Sequence, residues 1–123
     1  TCIETHLVNQ PDEIWSAKQF DAILVDAPCS NSGVLGKRPE ARWRLDEVSL
    51  KELNQIQRDL LEQAFQHLKS SGRLVYSTCS FDPRENEDLL QDVLRGHPDR
   101  KLVRENRHLP GSPCDGGYQA LIE

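Results

Sequence analysis

The 123-residue chain contains no methionine, so the expectation is a processed chain or an excerpt of something longer. Basic residues are in the minority. Fifteen Lys and Arg against 20 Asp and Glu give a net charge of −5 and a pI near 5.4, which excludes the wholesale basic surface of a self-sufficient nucleic-acid binder. No apolar stretch approaches the roughly 20 residues of a membrane span, so no membrane partner is expected, and the first residues lack the pattern of a signal peptide. Cysteine is sparse and unclustered: Cys2, Cys29, Cys79 and Cys114 stand 27, 50 and 35 positions apart. Without a C-x-x-C or paired Cys/His spacing, neither a zinc site nor any other metal is expected. Reduced thiols in a cytoplasmic protein are the default, since disulfide-stapled domains are smaller, secreted and cysteine-dense.

What is present fits one domain at most, with 37% hydrophobic and 28% charged residues and enough length to bury a core. Residues 1–8 are a candidate strand and 10–20 a turn leading into a brief helix. The run Ala22-Ile23-Leu24-Val25, bounded by Asp21 and by Asp26-Ala27-Pro28, lacks alternation, which predicts a strand buried on both faces. Residues 29–44 change to Ser, Asn, Gly and Pro with four cations, Lys37, Arg38, Arg42 and Arg44. A connector that long calls for function or disorder. Apolar residues then recur at steps of three and four from Leu50 to Leu68, predicting an amphipathic helix with Ser49 and Glu52 as its capping box and Gly72 just past its end.

Leu74-Val75-Tyr76 predicts a second buried strand, running into Ser77-Thr78-Cys79-Ser80. Asp82 is the cap candidate of the next helix, with Pro83 at its first position and Glu85 three residues after the cap. Glu85, Arg84, Glu87 and Asp88 read as caps and surface charge. Leu89, Leu90, Val93 and Leu94 supply that helix's apolar face, and Gly96-His97-Pro98 stops it. Residues 101–103 and 118–122 are further strands, with a Pro/Gly-rich loop over 108–117. Such alternation is α/β, with right-handed crossovers, and ligand sites in these sheets lie outside the carboxyl ends of the strands. The segments DAPCSNSG and STCS both fall at such ends, bringing Asp26, Cys29 and Cys79 to one rim.

A cysteine at a strand end is most often a small buried hydrophobe, the preferred reading for Cys2 and Cys114. Cys79, just ahead of the Pro83 helix, sits where unpaired amides and the helix dipole favour a thiolate. Asp26 is a candidate acid or hydrogen-bonding partner. His6, His67, His97 and His108 have no motif pairing them with a cysteine, which argues against a Cys–His dyad.

FDAILVDAPCSNSGVLGKRPEARW, then LNQIQRDLLEQAFQHL, then LKSSGRLVYSTCSFDPRENED and the closing DGGYQALIE together resemble the Sun (Fmu-like) family of S-adenosylmethionine-dependent RNA (cytosine-5) methyltransferases. The family includes the bacterial enzyme of small-subunit ribosomal RNA. The resemblance implies a Rossmann-like class I methyltransferase sheet with an antiparallel last strand. Carbon 5 of cytosine is a poor nucleophile, and adding a thiolate across carbon 6 makes it enamine-like. The resemblance implies that Cys79 is that thiolate and that Cys29 assists proton loss and product release. It implies further that Asp26 contacts the cytosine ring beside the methyl end of the cofactor and that Pro28 shapes the turn. A plain strand terminator explains Pro28 equally well.

The target base is unpaired or flipped out. Lys37, Arg38, Arg42 and Arg44 either hold flanking RNA phosphates or form a solvated loop, and Trp43 either stacks on a base or docks on the protein. The RNA is ribosomal or transfer RNA.

The family's glycine-rich loop is missing: no GxGxxG or APGGKT-like run precedes Phe20, and Glu4-Thr5-His6 stands where an aspartate usually follows the preceding strand. Residues 1–123 are therefore expected to form the carboxyl-terminal portion of the catalytic domain. They would lack most of the cofactor site, be inert alone and bind S-adenosylmethionine weakly or not at all. A non-catalytic half-domain kept for protein or RNA contact is the competing reading. A generic thiol enzyme ranks last, lacking C-x-x-C and a partner histidine.

Overall fold

The computed structural model describes residues 3, 18–44, 46–111 and 114–123. The strand expected over 1–8 and the helix expected over 10–20 lie, but for Ile3 and 18–20, outside the described residues. Strand β1 (Phe20–Asp26) opens the described order. It leads through a 3-10 turn (Ser32–Val34) and the short helix α1 (Ala41–Arg44) to the long helix α2 (Glu47–His67). Strand β2 (Leu68–Thr78), a 3-10 turn (Pro83–Glu85), helix α3 (Glu87–Arg95) and strands β3 (Leu102–His108) and β4 (Gly117–Ile122) follow.

The sheet order is β1-β2-β4-β3. β1 and β2 are parallel, with α2 as their crossover, and β4 is antiparallel to both β2 and β3. The last strand is thus antiparallel, as expected, and inserts between the two strands that α3 connects. Register puts Val25 beside Tyr76, and Tyr76 beside Ala120. That face packs on Leu61 and Phe65 of α2 and Leu89, Leu90 and Val93 of α3 as one core. Paired positions share a face and successive ones alternate, so Leu24, Val75 and Leu121 point the other way. Leu24 is 69% exposed. Among the described residues β1 is not buried on both faces, because no described element covers that side and β1 is the outermost strand of the described sheet.

Local boundaries also differ. Asp46, not Ser49, caps α2: its carboxylate accepts from the Ser49 amide at 2.7 Å, so the helix starts three residues before Leu50. At the other end α2 runs straight into β2 through Leu68, whose φ of −90° and ψ of 128° are already extended. Gly72 is inside the strand, where pairing slips from Phe20–Leu68 to Ala22–Arg73. The excursion is tied down by Arg100, buried at 8% exposure, which donates to the carbonyls of Leu68, Lys69 and Ser70 at 3.2–3.3 Å. A buried guanidinium persists where its donors are satisfied. Asp82 does cap, accepting from the Arg84 amide at 3.0 Å, but it starts a 3-10 turn that Asn86, at φ −121° and ψ −102°, breaks before α3. β3 extends through His108, so the expected loop is shorter at its start.

Candidate active site

The loops carrying Cys29 and Cys79 leave the carboxyl ends of β1 and β2, where Asp26 pairs with Ser77. Because these strands are parallel neighbours, both loops emerge on one rim. The amide of Ala27 donates to Ser77 O at 2.9 Å, and that of Gly33 to Cys79 O at 2.9 Å, stitching the loops together. Gly33 permits this approach: a Cβ there would lie 2.3 Å from Gly116 O and 2.7 Å from Cys79 O. The result is a pair of free thiols with Cys29 Sγ and Cys79 Sγ 2.8 Å apart. Cys29 is buried and Cys79 half-buried.

The pair polarises itself. The Cys29 S–H directed at Cys79 lowers the Cys79 thiol to about 7, against burial and the negative charges of Asp26 and Glu85, which raise it. The same contact, with burial, drives the Cys29 thiol far upward. When the pair loses a proton, Cys79 is the thiol that gives it up and Cys29 keeps its own. The helix dipole invoked from sequence is not the principal cause, since the Pro83 turn is interrupted at Asn86.

Asn31 sits beside them at a φ of 59°, the left-handed region that Asn tolerates better than most residues. Its Nδ2 donates to Cys29 O at 3.2 Å, and its Oδ1 accepts from Cys79 Sγ at 2.9 Å. Behind the thiols lies a buried polar lattice. Glu85, read from sequence as a cap or surface charge, has no exposure at all. Its carboxylate accepts from Ser30 N at 2.8 Å, Ser30 Oγ at 2.6 Å, Ser80 Oγ at 2.5 Å and Gln57 Nε2 at 3.1 Å. Burial of a carboxylate is tolerable only with such partners. Ser30 follows Cys29 and Ser80 follows Cys79, so one carboxylate joins both cysteine loops. Asn86 closes the lattice, accepting from Thr78 Oγ1 at 2.6 Å and donating to Ser80 O at 3.0 Å.

Asp26 is exposed on the uncovered face of the sheet, and exposed Pro28 accepts from Gln57 Nε2 through its carbonyl at 2.9 Å. Of the loop cations, Lys37 is paired with Asp115 at 2.5 Å. Arg38 lines a cavity of about 330 Å³ with Cys29, Asn31, Glu52, Leu53 and Ile56. Part of α2's apolar stripe thus walls the cavity rather than the core. Arg42 is exposed and Trp43 is 87% exposed, so the tryptophan is not docked on the described residues. The side chain of Arg44 and all of Cys2 lie outside the described residues. Cys114 is exposed, which corrects its reading as a buried small hydrophobe. Among the described residues, no histidine is hydrogen-bonded to either thiol of the pair, no cluster of three or more His, Cys, Asp or Glu could hold a metal, and no helix is long and apolar enough to cross a membrane.

Sequence reasoning missed Glu85, Asn31 and Gln57. Gln57 carried a legible signal, since it is a polar residue inside the apolar stripe between Leu53 and Leu61 and is fully buried. Glu85 carried none, because a glutamate three residues after a cap ordinarily faces water.

A parallel pair extended by an inserted antiparallel strand, with its site at the carboxyl rim, is part of a Rossmann-like methyltransferase sheet. Residues 1–115 match the family described as 16S rRNA methyltransferase RsmB/F, and the chain belongs to that family, as the DAPC and TCS segments led one to expect. It is 39% identical over 113 residues to ribosomal RNA small subunit methyltransferase B of Vibrio cholerae, covering 90% of this chain and 26% of that protein. The crystal structure of PH0851 superposes with a TM-score of 0.79 at 41% identity, covering 84% of this chain and 26% of the other. NSun6 from Pyrococcus horikoshii, solved with SFG, gives a TM-score of 0.72 at 27% identity over 86% of this chain and 30% of its own. The chain spans about a quarter of the length of the Vibrio relative.

Proposed function

We propose that this chain carries the two reacting thiols of an S-adenosylmethionine-dependent RNA (cytosine-5) methyltransferase acting on ribosomal RNA in the cytoplasm. The observation that carries this reading is the contact of Cys29 and Cys79 at 2.8 Å on the rim where the DAPC and TCS segments meet. Cys79 is the nucleophile. It is the more accessible thiol and the one lowered to about 7, so a useful fraction is thiolate near neutrality. Its sulfur adds to carbon 6 of an unstacked cytosine, and the electron pair moves to carbon 5.

Cys29 stays protonated while it donates to the Cys79 thiolate. Once Cys79 is bonded to carbon 6 that acceptor is gone, and Cys29 then gives its own proton to solvent water. The resulting thiolate takes the carbon-5 proton as the electron pair of that C–H bond forms the carbon 5–carbon 6 double bond and the Cys79–carbon bond breaks, releasing Cys79 as thiolate. Asp26 is the described residue that fits the cofactor, offering an exposed carboxylate at the carboxyl end of β1; no glycine-rich turn accompanies it among the described residues. S-Adenosylmethionine supplies an electrophilic methyl group, and the relative NSun6 was solved with its analogue SFG. Among the loop's described side chains, Arg38 and Arg42 are the cations left to meet RNA phosphates, with Trp43 available to stack on a base. Lys37 must first give up Asp115.

The test is carried out in the protein carrying this sequence. Cys29→Ala should accumulate an enzyme–RNA adduct stable to denaturing electrophoresis, dependent on cofactor and on Cys79. Cys79→Ala should give neither adduct nor methylated RNA. Should Cys79→Ala trap RNA and Cys29→Ala not, the roles are exchanged. Methylation at the unaltered rate by both variants removes the thiol mechanism.

A further inference from the structure

Among the described residues, Asn31 is the remaining side chain hydrogen-bonded to the sulfur of Cys79, and nothing in the proposed chemistry uses it. Its amide is held in one orientation. Nδ2 donates to Cys29 O, so Oδ1 is the end that faces Cys79 Sγ at 2.9 Å. Turning the amide over would set Oδ1 against the Cys29 carbonyl, two acceptors facing one another. The backbone beneath is equally constrained, since φ is 59° and Gly33, two residues on, is locked between Cys79 O and Gly116.

An amide oxygen accepts a hydrogen bond from a thiol and has nothing to offer a thiolate. We infer that Asn31 acts directly on the nucleophile: its Oδ1 holds the Cys79 S–H, orients the sulfur, and restrains thiolate formation until the contact is broken. The inference deepens the proposed function and rests on Cys79 being the nucleophile. Two hydrogen bonds then compete for one sulfur. The Cys29 S–H favours the Cys79 thiolate, and Asn31 Oδ1 favours its thiol. Asp26 and Glu85 are the other charged groups that act on Cys79, both on the side of the thiol. The amide is not a base, so Asn31 retains the proton without removing it.

The site supplies a clean test, because glycine adopts a positive φ without strain. Asn31→Gly keeps the turn and deletes the acceptor, whereas Asn31→Asp keeps an acceptor and adds a negative charge. The readout is the pH dependence of iodoacetamide alkylation at Cys79, followed by mass spectrometry of the peptide that carries it, in the protein carrying this sequence. The midpoint should fall by about half a unit to one unit in Asn31→Gly, the range set by a typical net hydrogen bond. It should rise in Asn31→Asp, because a like charge disfavours the thiolate. A merely structural residue would change thermal stability in both variants and leave the Asn31→Gly midpoint where it was, since the added charge raises the Asn31→Asp midpoint in either case.

Unchanged midpoints, movement of both in one direction, or failure of Asn31→Gly to fold would each overturn the inference. The opposed shifts survive even if Cys79→Ala leaves methylation intact, an outcome that sinks the proposed mechanism alone.

Discussion

Two neighbouring stretches of this chain are held in opposite ways. Residues 29–33 and 78–86 are fastened by side chains: Glu85, Ser30, Ser32, Ser80, Thr78 and Asn86 are buried and hydrogen-bonded to one another or to backbone. Residues 35–44, directly following, are mostly exposed, and among the described side chains buried Ala41 and the Lys37–Asp115 pair tie them to the rest. The difference matches two demands of the proposed function. Thiols that must exchange a proton need fixed mutual geometry, which a satisfied buried network provides. Cations that meet a phosphate backbone work through charge and tolerate movement. Breaking the first region should damage fold and chemistry together, and breaking the second should spare the fold.

The largest effect is expected from Glu85→Ala. It leaves the Ser30 amide and the hydroxyls of Ser30 and Ser80 buried without their acceptor, and each such group costs about 1–3 kcal/mol. Urea denaturation should show a loss of about 3 kcal/mol or more, and Glu85→Gln, which keeps the shape and one acceptor, should recover part of it. A loss below about 0.5 kcal/mol would remove Glu85 from the role of joining the two loops.

Gly33→Ala should come next, at about 2 kcal/mol, because its Cβ would stand within 2.7 Å of backbone oxygens of Gly116 and Cys79 and backbone cannot swing aside as a side chain can. The loop carrying Cys79 is what must yield. A reduced rate of Cys79 alkylation at fixed pH should therefore accompany the lower melting temperature.

The double variant Arg38→Ala, Arg42→Ala sharpens the comparison from the other side. Stability should change by no more than about 0.5 kcal/mol. The dependence of RNA affinity on salt should flatten by roughly 0.7 in slope for each phosphate no longer neutralised. A stability loss comparable to that of Gly33→Ala would mean that the loop is packed after all, and an unchanged slope would return these arginines to plain solvated surface.

Particular residues show how much could be read without coordinates. The run 22–25, the periodicity from Leu50 to Leu68 and the Asp82–Pro83 start announced strands and helices because each rests on contacts within a few positions of the chain. The rim placement of Cys29 and Cys79 followed from alternation alone, since parallel neighbours point their carboxyl ends the same way. The choice between Asp46 and Ser49 as a cap was not legible, because both side chains suit the position and only the backbone dihedral separates them. Gly72 misled: a glycine after a helical pattern resembles a stop signal, yet it lies in a register slip anchored by Arg100, nearly 30 positions away.

By itself, then, the sequence determined the order of elements, the α/β class, the shared rim and the two thiols on it, all consequences of local periodicity and the handedness of the chain. Tertiary structure alone decided that β4 inserts between β2 and β3, that Glu85 turns inward to meet Ser30 across 55 positions, and that Asn31 reaches the sulfur of Cys79 across 48. Burial and pairing over such separations depend on which surfaces meet, and a buried polar residue differs from an exposed one only in the company it keeps.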